Sequence, residues 1–461
     1  MKYISTRGQT DPMEFTDAGL TGLAPDGGLL VPESFPDLSG DLDRLAECSY
    51  PELAFEVFSH FCTDIPAEDL RGLVDRAYRT FRHPETAPTV KVGDRYILEL
   101  FHGPTLAFKD MAMQFLAQFF EYALEQRDEV LNILGSTSGD TGSAAIHGVR
   151  GKSRTNIFMM HPKGRTSPVQ ALQMTSVLDD NVFNLEVDGT FDDCQRIMKT
   201  LFADVPFKQA YHLGAVNSVN WVRVMAQIVY YLYSGLRVLK ETGDQEVQFS
   251  VPTGNFGNIL AGYYASVMGL PVSRLILATN ENDILSRFFH SGVYRSGDVA
   301  KTISPSMDIQ VASNFERFLL VLLDGNSEAV REAMTRFSET GSLDLSERRK
   351  HPVMKLFTSD RADTRATNKT IQQVNTEHGY LLDPHTAVGV EVGDRYRNLD
   401  PLICLATAHP AKFVEALVDA VGEEPKHPVI DALEGAETRC EHMANDVEAV
   451  RAYLVEKLSE A

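Results

Sequence analysis

Five cysteines are scattered through 461 residues, at Cys48, Cys62, Cys194, Cys404 and Cys440, and no two of them form a CxxC pair. An odd number at such wide spacings argues against a disulfide framework and a cysteine zinc site, and suits a reducing, cytoplasmic setting. Long apolar runs are missing too: Phe318–Leu323 is among the longer ones and falls far short of a membrane span. Met1–Phe15 carries no apolar stretch behind its basic residues, so no secretory signal is expected there. Positive charge is scarce, with 43 Lys and Arg against 64 Asp and Glu, a formal net charge of −21. That excess argues against nucleic-acid and membrane-surface partners. No internal repeat, no metal-ligand spacing among His102, His385 and His409, and no GxSxG elbow occur, so no metal is expected. An acidic protein with an anionic ligand must build its anion sites from backbone N–H groups, helix starts and a few placed cations.

What is present is an alternation of short apolar strands and amphipathic helices. Val130–Leu134, Asn156–Met160, Asn181–Val187, Val247–Val251, Arg274–Thr279 and Leu402–Thr407 read as strands, several nearly continuously apolar. Asp110–Glu129, Phe191–Ala203 and Trp221–Leu239 show helical spacing, and Glu437–Leu458 reads as a charged closing helix. The pattern predicts an α/β fold with ligands at the carboxyl ends of its strands. A turn-rich preface is expected over 1–85, a catalytic α/β region over 86–425 with a smaller lobe at about 105–210, and a helical segment over 426–461.

Lys109 sits in LFHGPTLAFKDMAMQF, Leu100–Phe115, among aromatic and aliphatic residues. Two readings stand: a stem laid on apolar surface with its head in water, or a desolvated amine that forms a Schiff base. Three strand-to-helix loops bear on the choice. Gly135–Ala145, GSTSGDTGSAA, offers N–H groups and the hydroxyls of Ser136, Thr137, Ser138 and Thr141 to an anion, or is a capped turn. Val251–Ala265, VPTGNFGNILAGYYA, is neither a P-loop nor a GxGxxG fingerprint. The N–H groups of Gly254, Asn255, Phe256, Gly257 and Asn258 suit a phosphate cradle without lysine. Leu381–Gly393, LLDPHTAVGVEVG, places Thr386 near a helix start, as a cap or a ligand. Asn217, Ser218 and Arg223 open a long helix, and Lys163 and Arg165 lie at a strand end. Together, a lysine nucleophile, a phosphate cradle, a hydroxyl-rich anion loop and a hydroxyl-bearing turn are the parts of a pyridoxal phosphate site.

The chain resembles the long-form threonine synthases nearly end to end. The resemblance rests on STRG (Ser5–Gly8), GLAPDGGLLVP (Gly22–Pro32), FHGPTLAFKD, TSGDTG, GTFDDCQ (Gly189–Gln195), NSVNW, VPTGNFGN, SPSMDI (Ser304–Ile309), SNFER (Ser313–Arg317), DPHTA and TAHPAKF (Thr407–Phe413). It implies a fold type II pyridoxal 5'-phosphate enzyme, similar to the tryptophan synthase β-subunit, with two open α/β lobes and an N-terminal subdomain. In such a protein Lys109 links to the cofactor, Gly254–Asn258 holds its phosphate, and Thr386 hydrogen-bonds its pyridine nitrogen, leaving that nitrogen largely unprotonated. The substrate carboxylate is then expected on Ser136, Thr137 and Ser138, and its phosphate on Thr141, Asn217, Ser218 and Arg223. Related short forms carry Asn where this chain has Asp140, so the role of Asp140 stays open. The implied activity is a carbon–oxygen lyase reaction, O-phospho-L-homoserine and water giving L-threonine and phosphate, the last step of threonine biosynthesis. The oligomeric expectation is a monomer or homodimer. Two alternatives remain: a phospholyase on the same scaffold that yields 2-oxobutyrate, and a non-catalytic metabolite sensor.

Overall fold

The computed structural model describes residues 1–137 and 139–460. The chain forms two compact units. The larger contains Met1–Phe108 and Ser218–Pro425; the smaller contains Lys109–Asn217 and the C-terminal segment from Lys426 onward.

The larger unit is built on a six-stranded sheet with spatial order Phe357–Arg361, Val272–Thr279, Val247–Pro252, Leu402–Ala406, Arg95–Glu99, Thr89–Val92. Neighbours run parallel except the last pair, a hairpin. Every residue of Val247–Pro252 and Leu402–Ala406 is buried; Leu402–Ala406 is accordingly an unbroken apolar run, while Val247–Pro252 also buries the polar Gln248 and Ser250. Ile97, Ile276, Val388, Val390 and Cys404 join one core, with the helix Pro384–Tyr396 packed into it. The single tryptophan, Trp221, is fully buried among the rings of Tyr3, Phe35, Phe61 and Tyr264, so residues from the N-terminal preface share a core with the sheet-bearing region. The helix Trp221–Thr242 starts where the Asn220 side chain accepts a hydrogen bond from Val222 N–H at 3.0 Å, and stops at Gly243, whose φ is +74°.

The smaller unit is a five-stranded, all-parallel sheet ordered Glu441–Met443, Val182–Val187, Thr155–Pro162, Leu131–Ser136, Leu213–Gly214. Its core includes Leu134, Phe158, Leu185, Ile197, Val450 and Leu454. Here the sequence reading needs correction. Glu437–Leu458 is not one helix: Glu441–Met443 is a strand paired with Leu185–Val187, and the helix runs Val447–Glu460. The Asp446 carboxylate accepts from Ala449 N–H at 2.8 Å and starts that helix, while Met443 is buried on the sheet. This pairing ties the C-terminal segment to the smaller unit.

Candidate active site

In the larger unit the strand Val247–Pro252 runs into Thr253–Phe256 and then the helix Gly257–Val267. Phe256 holds a left-handed φ of +64°, unusual for a side chain with a Cβ. Its buried ring packs against Phe289, Phe315, Phe318 and Phe357, and that aromatic anchorage sustains the turn. No side chain caps the following helix, so the N–H groups of its first turn point out of the loop. A Cβ on Gly254 would lie 2.8 Å from the Ser306 carbonyl oxygen, and one on Gly257 would lie 3.1 Å from Asn314 Nδ2. The Asn258 Oδ1 accepts hydrogen bonds from Tyr230 OH at 2.6 Å and Tyr231 OH at 2.8 Å. The two donors fix the amide's orientation, and its buried Nδ2 has no partner among the described residues. A glycine-lined turn, an uncapped helix start and an orphaned amide N–H₂ are what a bound phosphate would complete.

The DPHT turn lies in the same unit. Asp383, wholly buried, caps the helix Pro384–Tyr396: its Oδ1 accepts from the His385 N–H and ring Nδ1, both at 2.9 Å, and its Oδ2 from the Thr386 N–H at 3.3 Å and hydroxyl. The His385 Nε2 accepts from Ser306 N–H at 3.1 Å, so Nδ1 carries the proton that goes to Asp383. Asp383, and not Thr386, is therefore the cap of this helix. The one hydroxyl proton of Thr386 goes to Asp383, and its oxygen accepts from Thr407 N–H at 3.3 Å. Thr407 O in turn accepts from Phe108 N–H at 2.8 Å, the residue before Lys109. The same approach segment is pinned by the bridge between Ala107 and Ala408 and by Lys412 Nζ donating to Thr105 O at 2.8 Å. Leu106 takes a φ of +60° within it.

Two expected phosphate residues also belong to this unit. Ser218 Oγ lies 2.6 Å from Ser313 Oγ. Arg223 is buried, its Nε and Nη1 have no hydrogen-bond partner among the described residues, and burial pushes its guanidinium down to about 10. An unpaired buried cation is costly, and an incoming anion removes the cost.

In the smaller unit Lys109 directly precedes the helix Asp110–Arg127, and its carbonyl accepts from Met113 N–H at 2.9 Å. The Lys109 side chain is only 11% exposed, which disfavours the surface-stem reading. Its Nζ donates to Asp140 Oδ2 at 3.3 Å, and the other Asp140 oxygen accepts from Gln170 Nε2 at 2.8 Å. Asp140, unassigned from the sequence, is thus the ion-pair partner of the lysine. Ser136 ends the strand Leu131–Ser136 and is half-buried, and Thr141 lies in the first turn of the helix Asp140–Val149, also half-buried. The buried Thr137 hydroxyl accepts from Gly139 N–H at 3.0 Å and Gly142 N–H at 2.9 Å, so this side chain organises the loop itself. Ser138 lies outside the described residues. Asn217 is half-buried at the boundary between the units in sequence. Sequence reasoning left Asp383, Ser306, Asn314, Arg317 and Gln170 without roles, although SPSMDI and SNFER had drawn attention to three of them.

Residues 82–345 match the family described as pyridoxal-phosphate dependent enzyme. With the sheet order and the loops above, the protein is a pyridoxal phosphate-dependent enzyme of fold type II. Residues 2–78 match the threonine synthase N terminus and residues 386–454 the threonine synthase C-terminal family. A threonine synthase of Pseudomonas aeruginosa is 46% identical over 464 residues, 98% of each chain. One from Schizosaccharomyces pombe is 46% identical over 456 residues, covering 90% of this chain and 88% of its own. The crystal structure of pyridoxal phosphate-bound threonine synthase from Brucella melitensis superposes with a TM-score of 0.96 at 45% identity, covering 99% of both chains. The chain belongs to the threonine synthase family.

Proposed function

We propose that the enzyme converts O-phospho-L-homoserine and water into L-threonine and phosphate. The observation that carries the substrate class is Arg223: a buried guanidinium with two nitrogens unpartnered among the described residues, in a chain of net charge −21, suits a strongly anionic group. Pyridoxal phosphate, when bound, supplies an electron sink that makes carbon-bound protons of the substrate removable.

The chain's own residues do the rest. Gly254, Asn255, Phe256, Gly257 and Asn258 hold the cofactor phosphate through N–H groups and the Asn258 amide. Lys109 would hold the cofactor through its aldehyde, and its free amine would move protons at the substrate Cα and Cβ. Asp140 holds that amine in place, and Thr386, which donates to Asp383 in this structure, would be the residue that hydrogen-bonds the pyridine nitrogen. The loop Ser136, Thr137 and Ser138 receives the substrate carboxylate, with Thr137 shaping the loop through its hydroxyl. Thr141, Asn217, Ser218 and Arg223 receive the substrate phosphate until it departs. The protein works in the cytoplasm as a monomer or homodimer, and no described helix is long and apolar enough to cross a membrane. Phosphate release from O-phospho-L-homoserine, with the organic product identified, tests this reading. Threonine in equal amount to phosphate supports it, and 2-oxobutyrate with ammonia would replace it with the phospholyase reading.

A further inference from the structure

The segment Ser313–Arg317 has no role in the reaction as described, yet it touches both anion-binding stretches of the larger unit. The Asn314 N–H donates to Asn255 O at 3.0 Å, and its Nδ2 donates to Ser218 O at 3.0 Å and to Asn255 O at 3.3 Å. One side chain therefore binds the cofactor cradle and the phosphate-binding turn together. Ser313 Oγ adds its 2.6 Å contact with Ser218 Oγ. In a pair of hydroxyls one donates to the other, which leaves one proton oriented outward for an oxyanion.

Arg317 stands behind both. It has no solvent exposure, and its Nη1 donates to Asn314 Oδ1 at 2.6 Å. Its Nη2 donates to Val219 O at 2.6 Å and Leu30 O at 2.8 Å, and Nε donates to Leu30 O at 3.1 Å. All these acceptors are neutral, and burial pushes the guanidinium down to about 10. A buried cation without a carboxylate costs stability; what it supplies here is geometry, since a planar fork reaches two separate backbone stretches and one amide at fixed angles. The fit is tight as well, because a Cβ on Gly257 would come within 3.1 Å of Asn314 Nδ2.

We propose that Ser313, Asn314 and Arg317 form a clamp that fixes the cofactor cradle Gly254–Asn258 and the turn Ser218–Val219 at one separation, so that the phosphate of the cofactor and the phosphate of the substrate are bound at a set spacing. All three are positioning residues. The substrate half of the proposal rests on the reaction proposed above; the cofactor half does not.

The test uses the holoenzyme and the variants Ser313→Ala, Asn314→Ala and Arg317→Lys. Four quantities are read: cofactor Kd, KM and kcat for O-phospho-L-homoserine, and the competitive inhibition constant of inorganic phosphate. Loss of one hydrogen bond is worth about a fivefold to tenfold change. Ser313→Ala is expected to raise KM and the phosphate inhibition constant by about that factor, with the cofactor Kd unchanged within about twofold. Asn314→Ala, which loses contacts to both stretches, is expected to raise the cofactor Kd and the phosphate constant together, each by about tenfold or more. Arg317→Lys is expected to follow Asn314→Ala. A folded Asn314→Ala that shifts only one of the two constants would overturn the clamp. So would a Ser313→Ala protein with an unaltered phosphate constant, and that half-exposed site decides the matter should the buried variants fail to fold. A wild-type protein that turns over no O-phospho-L-homoserine would overturn the proposed reaction instead, while cofactor Kd and the phosphate affinity, then read by direct binding, still decide the clamp.

Discussion

Lys109 Nζ sits 3.3 Å from Asp140 Oδ2, with the carboxylate buried, the lysine side chain only 11% exposed, and the carboxylate braced by Gln170. Removing either partner strands a charge away from water, which costs roughly 3–5 kcal/mol, whereas removing both costs much less. A double-mutant cycle of Lys109→Ala and Asp140→Ala, measured by urea unfolding of the cofactor-free protein, is expected to give a coupling energy of at least about 1 kcal/mol. Additive losses would remove Asp140 as the lysine's partner.

The cradle leaves no room for a methyl group at its first glycine. Gly254→Ala would bring a Cβ within 2.8 Å of the Ser306 backbone carbonyl, so the loop must shift by several tenths of an ångström. Cofactor Kd is expected to rise about tenfold or more, with a stability loss of about 1–3 kcal/mol. Gly257→Ala meets only the Asn314 side-chain amide, at 3.1 Å, and is expected to cost less. Equilibrium dialysis of the two variants checks the order, and equal affinities would contradict it.

Arg223 should trade stability for binding. Its folded value, about 10, lies below the usual arginine value of 12.5, so its charge disfavours the fold at every working pH below about 10. Arg223→Met is expected to unfold at a higher temperature than wild type without substrate, with a gain on the order of 1–3 kcal/mol. The same variant is expected to raise KM for the phosphorylated substrate by about a hundredfold or more. Calorimetry and steady-state kinetics read the two effects; a lower melting temperature would show that this guanidinium has partners in the fold.

Acid sensitivity has an identifiable contributor in Glu99. Burial acts to raise its carboxyl, but hydrogen bonds from the His102 ring and the Tyr380 hydroxyl, each at 2.7 Å, outweigh it and hold the group below the usual range. A carboxylate depressed in the folded state adds stability above its unfolded value, and that stability disappears as pH falls through the lower folded value. Glu99→Gln is therefore expected to flatten the loss of stability below about pH 4.5. Urea midpoints measured from pH 6 to pH 3 decide it, an unchanged acid slope being the contrary result.

Much of this architecture could be read from the chain because the informative segments are buried on both faces. Leu402–Ala406 is apolar throughout, Val247–Pro252 is fully buried with only Gln248 and Ser250 polar, and Phe191–Ala203 matches its helical spacing residue for residue. The edge strands were not legible. Phe357–Arg361 and Glu441–Met443 are short and partly exposed, so their composition is that of loops, and only pairing with a neighbour makes them strands. The loops proposed to hold anions stand out by glycine and hydroxyl content, but their internal wiring does not. That Thr137 closes its own loop, and that Thr386 gives its proton to Asp383, depends on side-chain directions that no spacing encodes.

The central claim is that Lys109 is the amine that carries the cofactor and moves the protons. The direct test is phosphate release with product identification on cofactor-saturated wild type and Lys109→Ala. Wild type should form threonine and phosphate in equal amounts, and the alanine variant should lose the lysine-bound cofactor absorbance and at least about 10³-fold in rate. Threonine formed by Lys109→Ala at the wild-type rate would contradict the account.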